Sequence, residues 1–217
     1  MPNNHYHHLV FGDDALDRQR RNGSYVAYGR QLERGDDGPQ PLTDRELLMI
    51  SRADQFCLAT ITPHGWPYLQ YRSGPAGFVQ HDPATGRLGF IDVPGNNQFV
   101  TLGNLADDDR LAMFFVDYPT RTRLKVFGTA RVIAAEEDPD LHEFLLDVPG
   151  GRIKSPSRRS IVVDVEAFDM NCRKYIVPRF EREAVDRIHT QGHGAPRVTV
   201  TVAPWARASA SASASSS

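Results

Sequence analysis

Hydrophobic and polar residues alternate most regularly between positions 121 and 132, and this alternation predicts a long β-strand with two different faces. One face is apolar or small throughout and is predicted to face the core: Leu124, Val126, Gly128, Ala130 and Val132. The opposite face carries Arg121, Arg123 and Lys125. Three cations within five residues on one strand face indicate either a bound anion or answering Asp and Glu side chains, and the sequence leaves both interpretations open.

Shorter apolar runs bounded by Gly and Pro predict further strands at 56–61, 66–72, 78–79, 88–93, 111–116 and 161–168. Helices are predicted at 13–19, 25–33, 44–53, 139–146 and 179–188, and the third follows a capping box formed by Thr43 and Glu46. Because the connections between strands are short, the strands are expected to pair antiparallel. The sequence therefore predicts a mainly β fold with flanking helices, built as a barrel of six or seven strands.

The segment 88–105 is predicted to place the start of a helix beside the end of a strand. Pro94-Gly95 ends the strand, and Asn96 or Asn97 can cap the helix that follows. The apolar face of that helix is predicted to carry Phe99, Leu102 and Leu105. Its first turn offers unpaired backbone N–H groups and a partial positive charge, which together favour a phosphate. An ordinary capped helix without a ligand is the alternative.

Composition narrows the function classes. The chain has 217 residues, 40% of them hydrophobic, with a mean hydropathy of −0.44, a net charge of −2 and a pI near 6.4, so no basic field favours nucleic acid. No apolar run is long enough for a membrane span, and the first residues lack the apolar core of a signal peptide. Cys57 and Cys172 are too few for a disulfide framework and lack zinc-type spacing. We expect a cytoplasmic protein without a metal site.

Both ends of the chain are predicted to lie outside the barrel. His5, His7 and His8 are expected in a flexible polar terminus, and the alternating Ala and Ser residues at 206–217 are expected to be disordered. The predicted divisions are an N-terminal extension at 1–42, the barrel domain at 43–180, a C-terminal helix and extension at 181–205, and the tail at 206–217.

Several motifs occur in a characteristic order. The strand FCLATI at 56–61 is followed by HGWPY at 64–68, then by FIDVPGNNQ at 90–98 and by NCRKYIVPR at 171–179. Over about residues 43–180 this order resembles the pyridoxamine 5′-phosphate oxidase-like family of FMN-binding split β-barrels. The resemblance implies a split barrel that forms a homodimer, with one flavin at each of two sites in the subunit interface.

The resemblance also implies where the cofactor binds. The implied cofactor-binding residues are Gln70, Arg72, Asp92, Asn96, Asn97, Gln98, Arg123 and Lys125. The implied activity is that of an FMN-dependent oxidoreductase, which moves hydride between a nicotinamide or other donor and a small molecule. In such enzymes the cofactor carries the redox chemistry, so a catalytic side-chain signature is not expected.

The chain departs from authentic pyridoxamine phosphate oxidases at the phosphate helix, where it has Asn96-Asn-Gln98 in place of Ser-Arg-Lys. It also lacks the C-terminal Arg- and Trp-bearing substrate motif of those enzymes, so vitamin B6 oxidation is not expected. Deazaflavin F420 is an alternative cofactor. A non-catalytic flavin-, deazaflavin- or haem-binding barrel and a purely structural dimer are the alternative functions.

Three side chains of the first predicted hairpin are expected to pack in the core or in an interface. Cys57 is predicted to be a small core residue. Trp66 and Tyr71 are expected in the core or in the dimer interface, in preference to stacking on a flavin.

Overall fold

The computed structural model describes residues 3–171 and 174–180, together with the single residues 182 and 185. The chain divides into two units, 1–179 and 180–217, and the elements named here belong to the first. The helices are α1 (His5–Val10), α2 (Asp13–Asn22), α3 (Asp44–Arg52), α4 (Val100–Asp107) and α5 (Pro139–Leu146). The strands are β1 (Gln55–Ile61), β2 (Pro67–Ser73), β3 (Gln80–His81), β4 (Leu88–Ile91), β5 (Arg110–Asp117), β6 (Thr122–Ala134), β7 (Asp147–Val148), β8 (Gly151–Arg152) and β9 (Arg159–Asn171). Apart from a few isolated positions, the predicted helix at 179–188 lies outside the described residues, and so does the Ala/Ser tail.

Within the described residues, seven strands form one antiparallel sheet in the order β2-β1-β5-β6-β9-β4-β3, which confirms the predicted fold class. Strand β9 pairs with β6 along one edge and with β4 along the other. The register between β6 and β9 shifts between Phe127 and Gly128. A Cβ atom at Gly128 would collide with the backbone oxygen of Asp164, so the two strands approach closely only because this residue is glycine.

The alternation predicted for β6 is confirmed, and β1 and β5 follow the same rule. Phe56 of β1 is fully inside the barrel, and its ring centroid lies 5.3 Å from that of Phe90 and 5.1 Å from that of Phe115. Phe90 belongs to β4, which is not a neighbour of β1 in the sheet. The contact between Phe56 and Phe90 therefore shows that the sheet curls around a single apolar core.

Two helices begin at capping residues, and α3 begins where its capping box predicts. The Glu46 carboxylate accepts the backbone N–H of Thr43 at 3.1 Å, and α3 begins at the next residue. The Asp138 side chain accepts the N–H of Leu141 at 3.0 Å at the start of α5. In the part of the chain that the structure describes, no helix is both long and apolar enough to cross a membrane.

Two short elements differ from their predictions. The helix predicted at 25–33 is replaced by 3-10 turns at Ser24–Val26 and Gly29–Glu33, because Gly29 in the middle of this stretch weakens a continuous α-helix. The strand predicted at 78–79 is part of a turn, in which Pro75 O accepts the N–H of Phe78 at 3.0 Å. Pairing with β4 begins two residues later, in β3.

The N-terminal segment is folded onto the barrel, so the predicted flexible terminus is wrong. The side-chain amide of Asn4 is buried and donates to the backbone oxygens of Gln31 and Gly35, each at 3.0 Å. In α1 the ring of Tyr6 packs against Phe127 of β6, with 5.4 Å between the centroids. These contacts join positions far apart in sequence, which a polar composition alone does not indicate.

Candidate functional site

A polar cavity of about 210 Å³ lies at the split of the barrel, between β2 and the chain that leaves β4. Because β2 and β4 are not neighbours in the strand order, side chains meet here in place of ladder hydrogen bonds. The cavity is lined by six of the eight predicted cofactor-binding residues: Gln70, Arg72, Asp92, Asn96, Asn97 and Gln98. Arg123 and Lys125 do not line it.

Three charged side chains meet across the split. Asp92 Oδ1 accepts Nη1 of Arg72 at 3.0 Å, and Asp92 Oδ2 accepts Nε of Arg159 at 3.2 Å. The Asp92 side chain is 7% exposed, and a backbone hydrogen bond of 3.0 Å from its N–H to Arg159 O fixes the end of β4 against the start of β9. Two guanidinium charges around one carboxylate leave the cluster with one net positive charge.

Both arginines keep hydrogen-bonding capacity beyond Asp92. The Nε atom of Arg72 is buried and has no hydrogen-bond partner among the described residues. The side chain of Arg159 donates to described residues through Nε alone, which leaves its two terminal nitrogens for a ligand. An unsatisfied buried donor costs about 1–3 kcal/mol, and more when it is charged. The cluster can therefore donate further hydrogen bonds to an anion.

The helix predicted to open at Asn96 or Asn97 begins only at Val100, with Phe99 at the capping position, so that prediction is wrong. Asn96 Oδ1 accepts the N–H of Gln98 at 3.4 Å, and this local hydrogen bond competes with helix formation. Asn97 and Phe99 then adopt left-handed φ angles of 57° and 56°. Asparagine tolerates this conformation, whereas a bulky residue such as Phe99 is strained in it.

The start of α4 nevertheless borders the cavity. The first helical hydrogen bond runs from the Gly103 N–H to Phe99 O at 2.9 Å, so the N–H groups of residues 100–102 have no helical acceptor. The helix is anchored by Asn104, whose Nδ2 donates to Thr60 Oγ1 of β1 at 2.8 Å, with both residues buried. The anchor holds the positive end of a helix dipole at the cavity wall.

Sequence reasoning missed two residues of this site, Arg159 and Phe99. The guanidinium carbon of Arg159 lies 5.5 Å from the centroid of the Phe99 ring, within the range of a cation–π contact. Phe99 is 54% exposed and does not lie on the buried face of the helix. Arg158 is adjacent in sequence but pairs with Glu136 at 2.6 Å, so only the register of β9 decides which arginine enters the cavity.

Lys125 lies on the outer face of β6, which it shares with Arg123. Its Nζ donates to Asp169 Oδ2 at 3.1 Å and to the Tyr6 hydroxyl at 2.9 Å. Burial lowers the pKa of Lys125, but the hydrogen bonds to Tyr6 and Asp169 outweigh burial, and the pKa is raised. Of the two interpretations of the cationic face, the structure supports answering carboxylates at Lys125.

A second polar cluster joins the N-terminal segment to β9. His5 is 7% exposed, its Nδ1 lies 2.7 Å from Asp36 Oδ1, and its Nε2 lies 2.7 Å from Glu166 Oε1. Burial lowers the pKa of His5, but the hydrogen bonds to the two carboxylates outweigh it and raise the pKa above the ordinary value of 6.5. Among the described residues, no group of three or more His, Cys, Asp or Glu side chains could hold a metal ion.

The outer face of β1, β2 and β5 is largely apolar. Cys57 lies on it, half-buried, because Phe56 and Leu58 take the inward positions, so the predicted core location of Cys57 is wrong. Trp66 is 73% exposed and Tyr71 is 59% exposed, which excludes the core for both and leaves the interface as a prediction. Other side chains on this face, by strand register, are Ala59, Ile61, Leu69, Ala112, Phe114 and Val116.

The antiparallel sheet, curled around one core and open at a polar cavity, places this chain in the class of split β-barrels. The family model described as pyridoxamine 5′-phosphate oxidase matches residues 42–172, more than half of the chain, and the chain belongs to this family. The matched region contains the three charged residues of the cavity: Arg72, Asp92 and Arg159. No protein of curated function matches the chain.

Several solved structures are similar at low identity. A conserved hypothetical protein from Mycobacterium tuberculosis is 16% identical over 68% of this chain and 96% of its own, with a TM-score of 0.46. An F420 reductase is 22% identical over 60% of this chain and 98% of its own, with a TM-score of 0.44. A pyridoxamine 5′-phosphate oxidase-related, FMN binding protein from Nostoc punctiforme is 16% identical over 60% of this chain and 86% of its own, with a TM-score of 0.43.

Proposed function

We propose that this protein is a homodimeric flavin-dependent oxidoreductase that binds FMN in the cavity at the split and acts on a small molecule. The observation that carries the proposal is Arg72, a guanidinium group in the wall of the cavity with a charged donor, its buried Nε, that has no partner among the described residues. Such a donor favours an anionic group, and FMN has one in its phosphate. Membership of the pyridoxamine 5′-phosphate oxidase family supports the same class of ligand.

The residues present fit the phosphate of FMN. Arg72 and Arg159 offer guanidinium N–H groups, and Asn97 and Gln98 offer side-chain amides at the exposed rim. The N–H groups of residues 100–102, which have no acceptor within the helix, add a helix start that favours negative charge. We assign these residues to holding and orienting the phosphate end of the cofactor.

A second copy of the chain is part of the proposal. The cavity of about 210 Å³ is smaller than the roughly 300–1,000 Å³ of sites that enclose a drug-sized ligand, so one copy encloses only part of a flavin. Tyr71 lines the cavity and is 59% exposed, so a partner that covers β2 also closes the cavity. Arg123 and Lys125 lie outside the cavity, and a position of these residues near the flavin or its phosphate stays a prediction. We expect the interface to bury more than about 1,000 Å² in total.

When bound, a flavin supplies the hydride and electron transfer itself. The residues of the chain bind the cofactor, orient it and exclude water from the cavity. The proposed donor is a reduced nicotinamide or another small donor, and the acceptor is a small molecule. This assignment of redox chemistry to the cofactor and of binding to the protein agrees with the charged groups that line the cavity.

An absorbance spectrum of the purified protein, followed by titration with FMN, tests the cofactor assignment. We expect flavin bands or saturable micromolar binding, which Arg72→Gln weakens strongly. Arg158→Gln is the matched control, because Arg158 pairs with Glu136 away from the cavity. A colourless protein that does not bind FMN contradicts the assignment. Deazaflavin F420 and then haem are the next ligands to titrate.

Two further measurements separate the proposed activity from its alternatives. Anaerobic addition of reduced nicotinamide to the flavin-loaded protein is expected to bleach the flavin absorbance. A loaded protein that no donor reduces is a non-catalytic flavin carrier. Sedimentation is expected to give a dimer, and a monomer that binds FMN contradicts the interface site.

A further inference from the structure

Asp92 already occupies the two arginines of the proposed cofactor cavity. Each of its carboxylate oxygens takes one guanidinium, Arg72 at 3.0 Å and Arg159 at 3.2 Å. With a side chain that is 7% exposed, Asp92 is poorly screened by water. One of the two positive charges in the cavity is therefore cancelled before any ligand arrives.

Arg159 is held from a second side as well. The Phe99 ring lies 5.5 Å from its guanidinium carbon, and Phe99 keeps this place in a left-handed backbone conformation with φ of 56°. Strained backbone of this kind persists where the surroundings over-determine it, and it clusters at binding sites. The side chain of Arg159 is nevertheless 31% exposed, so its terminal nitrogens can be reached by a ligand.

We propose that Asp92 is an internal counter-anion of the arginine clamp, by which we mean Arg72 and Arg159. Asp92 limits the clamp to one negative charge of the ligand, and Arg159 is the arginine that binds this charge. The identification of the ligand as a flavin phosphate rests on the proposed function. The charge argument itself applies to any anion that enters the cavity.

Two physical effects give Asp92 this role. A carboxylate within a few ångströms of a second anion repels it, most strongly where water is excluded. The hydrogen bonds that Arg72 Nη1 and Arg159 Nε give to Asp92 are also withheld from the ligand. A cluster with one net positive charge therefore suits a carboxylate, a phosphodiester or a singly protonated phosphate better than a phosphate dianion.

A positioning role for Asp92 predicts the opposite result. If the carboxylate served only to hold Arg72 and Arg159 in place, its neutralisation would loosen both arginines and weaken anion binding. If it is a counter-anion, its neutralisation strengthens anion binding. The sign of the change on Asp92→Asn separates the two roles.

The affinities of FMN and riboflavin, measured by quenching of flavin fluorescence, test the proposal. Riboflavin lacks the phosphate, so the ratio of the two affinities isolates recognition of the charge. Asp92→Asn is expected to raise the preference for FMN by about tenfold or more, because one repulsive charge is removed. Arg159→Gln is expected to lower the preference by about tenfold or more, because a charge-assisted hydrogen-bond donor is lost.

Matched controls exist for both changes. Asp164→Asn removes an acid that pairs with Arg87 at 2.6 Å outside the cavity, and Arg158→Gln removes the adjacent arginine. Both are expected to leave the ratio unchanged. Asp92→Ser is a second neutral variant for the case that Asp92→Asn does not fold, as judged from thermal unfolding without ligand. An unchanged or lowered preference for FMN in the neutral variant overturns the proposal.

Failure of the proposed function has a different signature, in which the wild type binds neither flavin. The clamp is then tested with inorganic phosphate, as the rise in Tm relative to sodium chloride at equal ionic strength. We expect a larger rise in Asp92→Asn than in the wild type and no rise in Arg159→Gln. A rise in Asp92→Asn that does not exceed that of the wild type overturns the counter-anion role without reference to flavin.

Discussion

His5 Nε2 lies 2.7 Å from Glu166 Oε1, although the two residues are 161 positions apart in the chain. The other ring nitrogen of His5 faces Asp36, so one imidazole bridges the N-terminal segment and the last strand of the barrel. The side chains of Asp36 and Glu166 are 43% and 41% exposed, so solvent moderates both interactions. We call this bridge the His5 tie, and its strength depends on the charge of the imidazole.

This tie makes folding stability depend on pH. The pKa of His5 is raised in the folded state above 6.5, so its contribution is fully present below pH 6.5 and is lost as the pH rises through the folded pKa. We expect His5→Gln to lower the free energy of unfolding by about 1 kcal/mol at a pH of about 5.5 and by less at about pH 9. Urea unfolding at both pH values measures the difference.

His64→Gln is the control for this titration, since His64 is an exposed turn residue. Its effect on the free energy of unfolding is expected to be within about 0.5 kcal/mol, because its side chain is exposed. A cost of His5→Gln that grows with pH would contradict the charged bridge.

The hydrogen bond between Asn104 and Thr60 predicts a stability effect that depends on both partners. Asn104→Ala leaves the buried Thr60 hydroxyl without its donor, and we expect a loss of about 1–3 kcal/mol in the free energy of unfolding. Adding Thr60→Val to that variant is expected to recover part of the loss, because no buried polar group is then left unpaired. Chemical denaturation of the two single variants and the double variant gives the coupling energy, and simple additivity would argue against the bond.

Two glycines provide a matched pair of substitutions with opposite expected signs. Gly128→Ala places a Cβ against the backbone of Asp164, and we expect a loss of more than about 2 kcal/mol because two paired strands must separate. Gly103→Ala in α4 meets nothing within 4 Å, and we expect a gain of about 0.5–1 kcal/mol. Thermal unfolding distinguishes the two, and equal effects would contradict the close approach at Gly128.

The loop before α4 predicts a loss of cofactor affinity without a loss of fold. Combining Asn97→Gly with Gln98→Ala removes two amides at the cavity rim, while glycine tolerates the φ of 57° at position 97. If these amides contact the phosphate, FMN binding weakens by about 1–3 kcal/mol. Arg72→Gln is the reference variant, because it is expected to bind FMN more weakly. If Arg72→Gln weakens binding and the double variant does not, the two amides do not contact the phosphate.

The elements of the fold could be predicted from the sequence where they depend on residues that are close together in the chain. The alternation around Lys125 and the capping box at Thr43 each depend on neighbours within a few residues, and both elements form as predicted. The start of α4 was not accessible, because the left-handed conformation of Phe99 runs against the preference of a bulky residue. The apolar spacing therefore placed Phe99 inside a helix that begins after it.

The site was accessible only in part. Arg72 and Asp92 lie on elements with clear strand signals, and the cavity contains both. Arg159 lies 67 positions from Asp92, and no local pattern distinguishes it from Arg158. The same limit applies to His5, whose acidic partners come from a loop and from the far end of the chain. Pairings that form only on closure of the barrel leave no periodic signal.

The Arg72–Asp92 ion pair spans the place where the hydrogen-bonded ladder of the sheet is interrupted. Elsewhere in the sheet neighbouring strands are joined by backbone hydrogen bonds, but among the described residues no backbone pairing joins β2 to β4. Opening the barrel at this split would break the Arg72–Asp92 pair and the contact between Phe56 and Phe90, but none of the strand pairings. A ligand that contacts both sides of this split would hold it closed, so ligand binding in the cavity and closure of the barrel would be coupled.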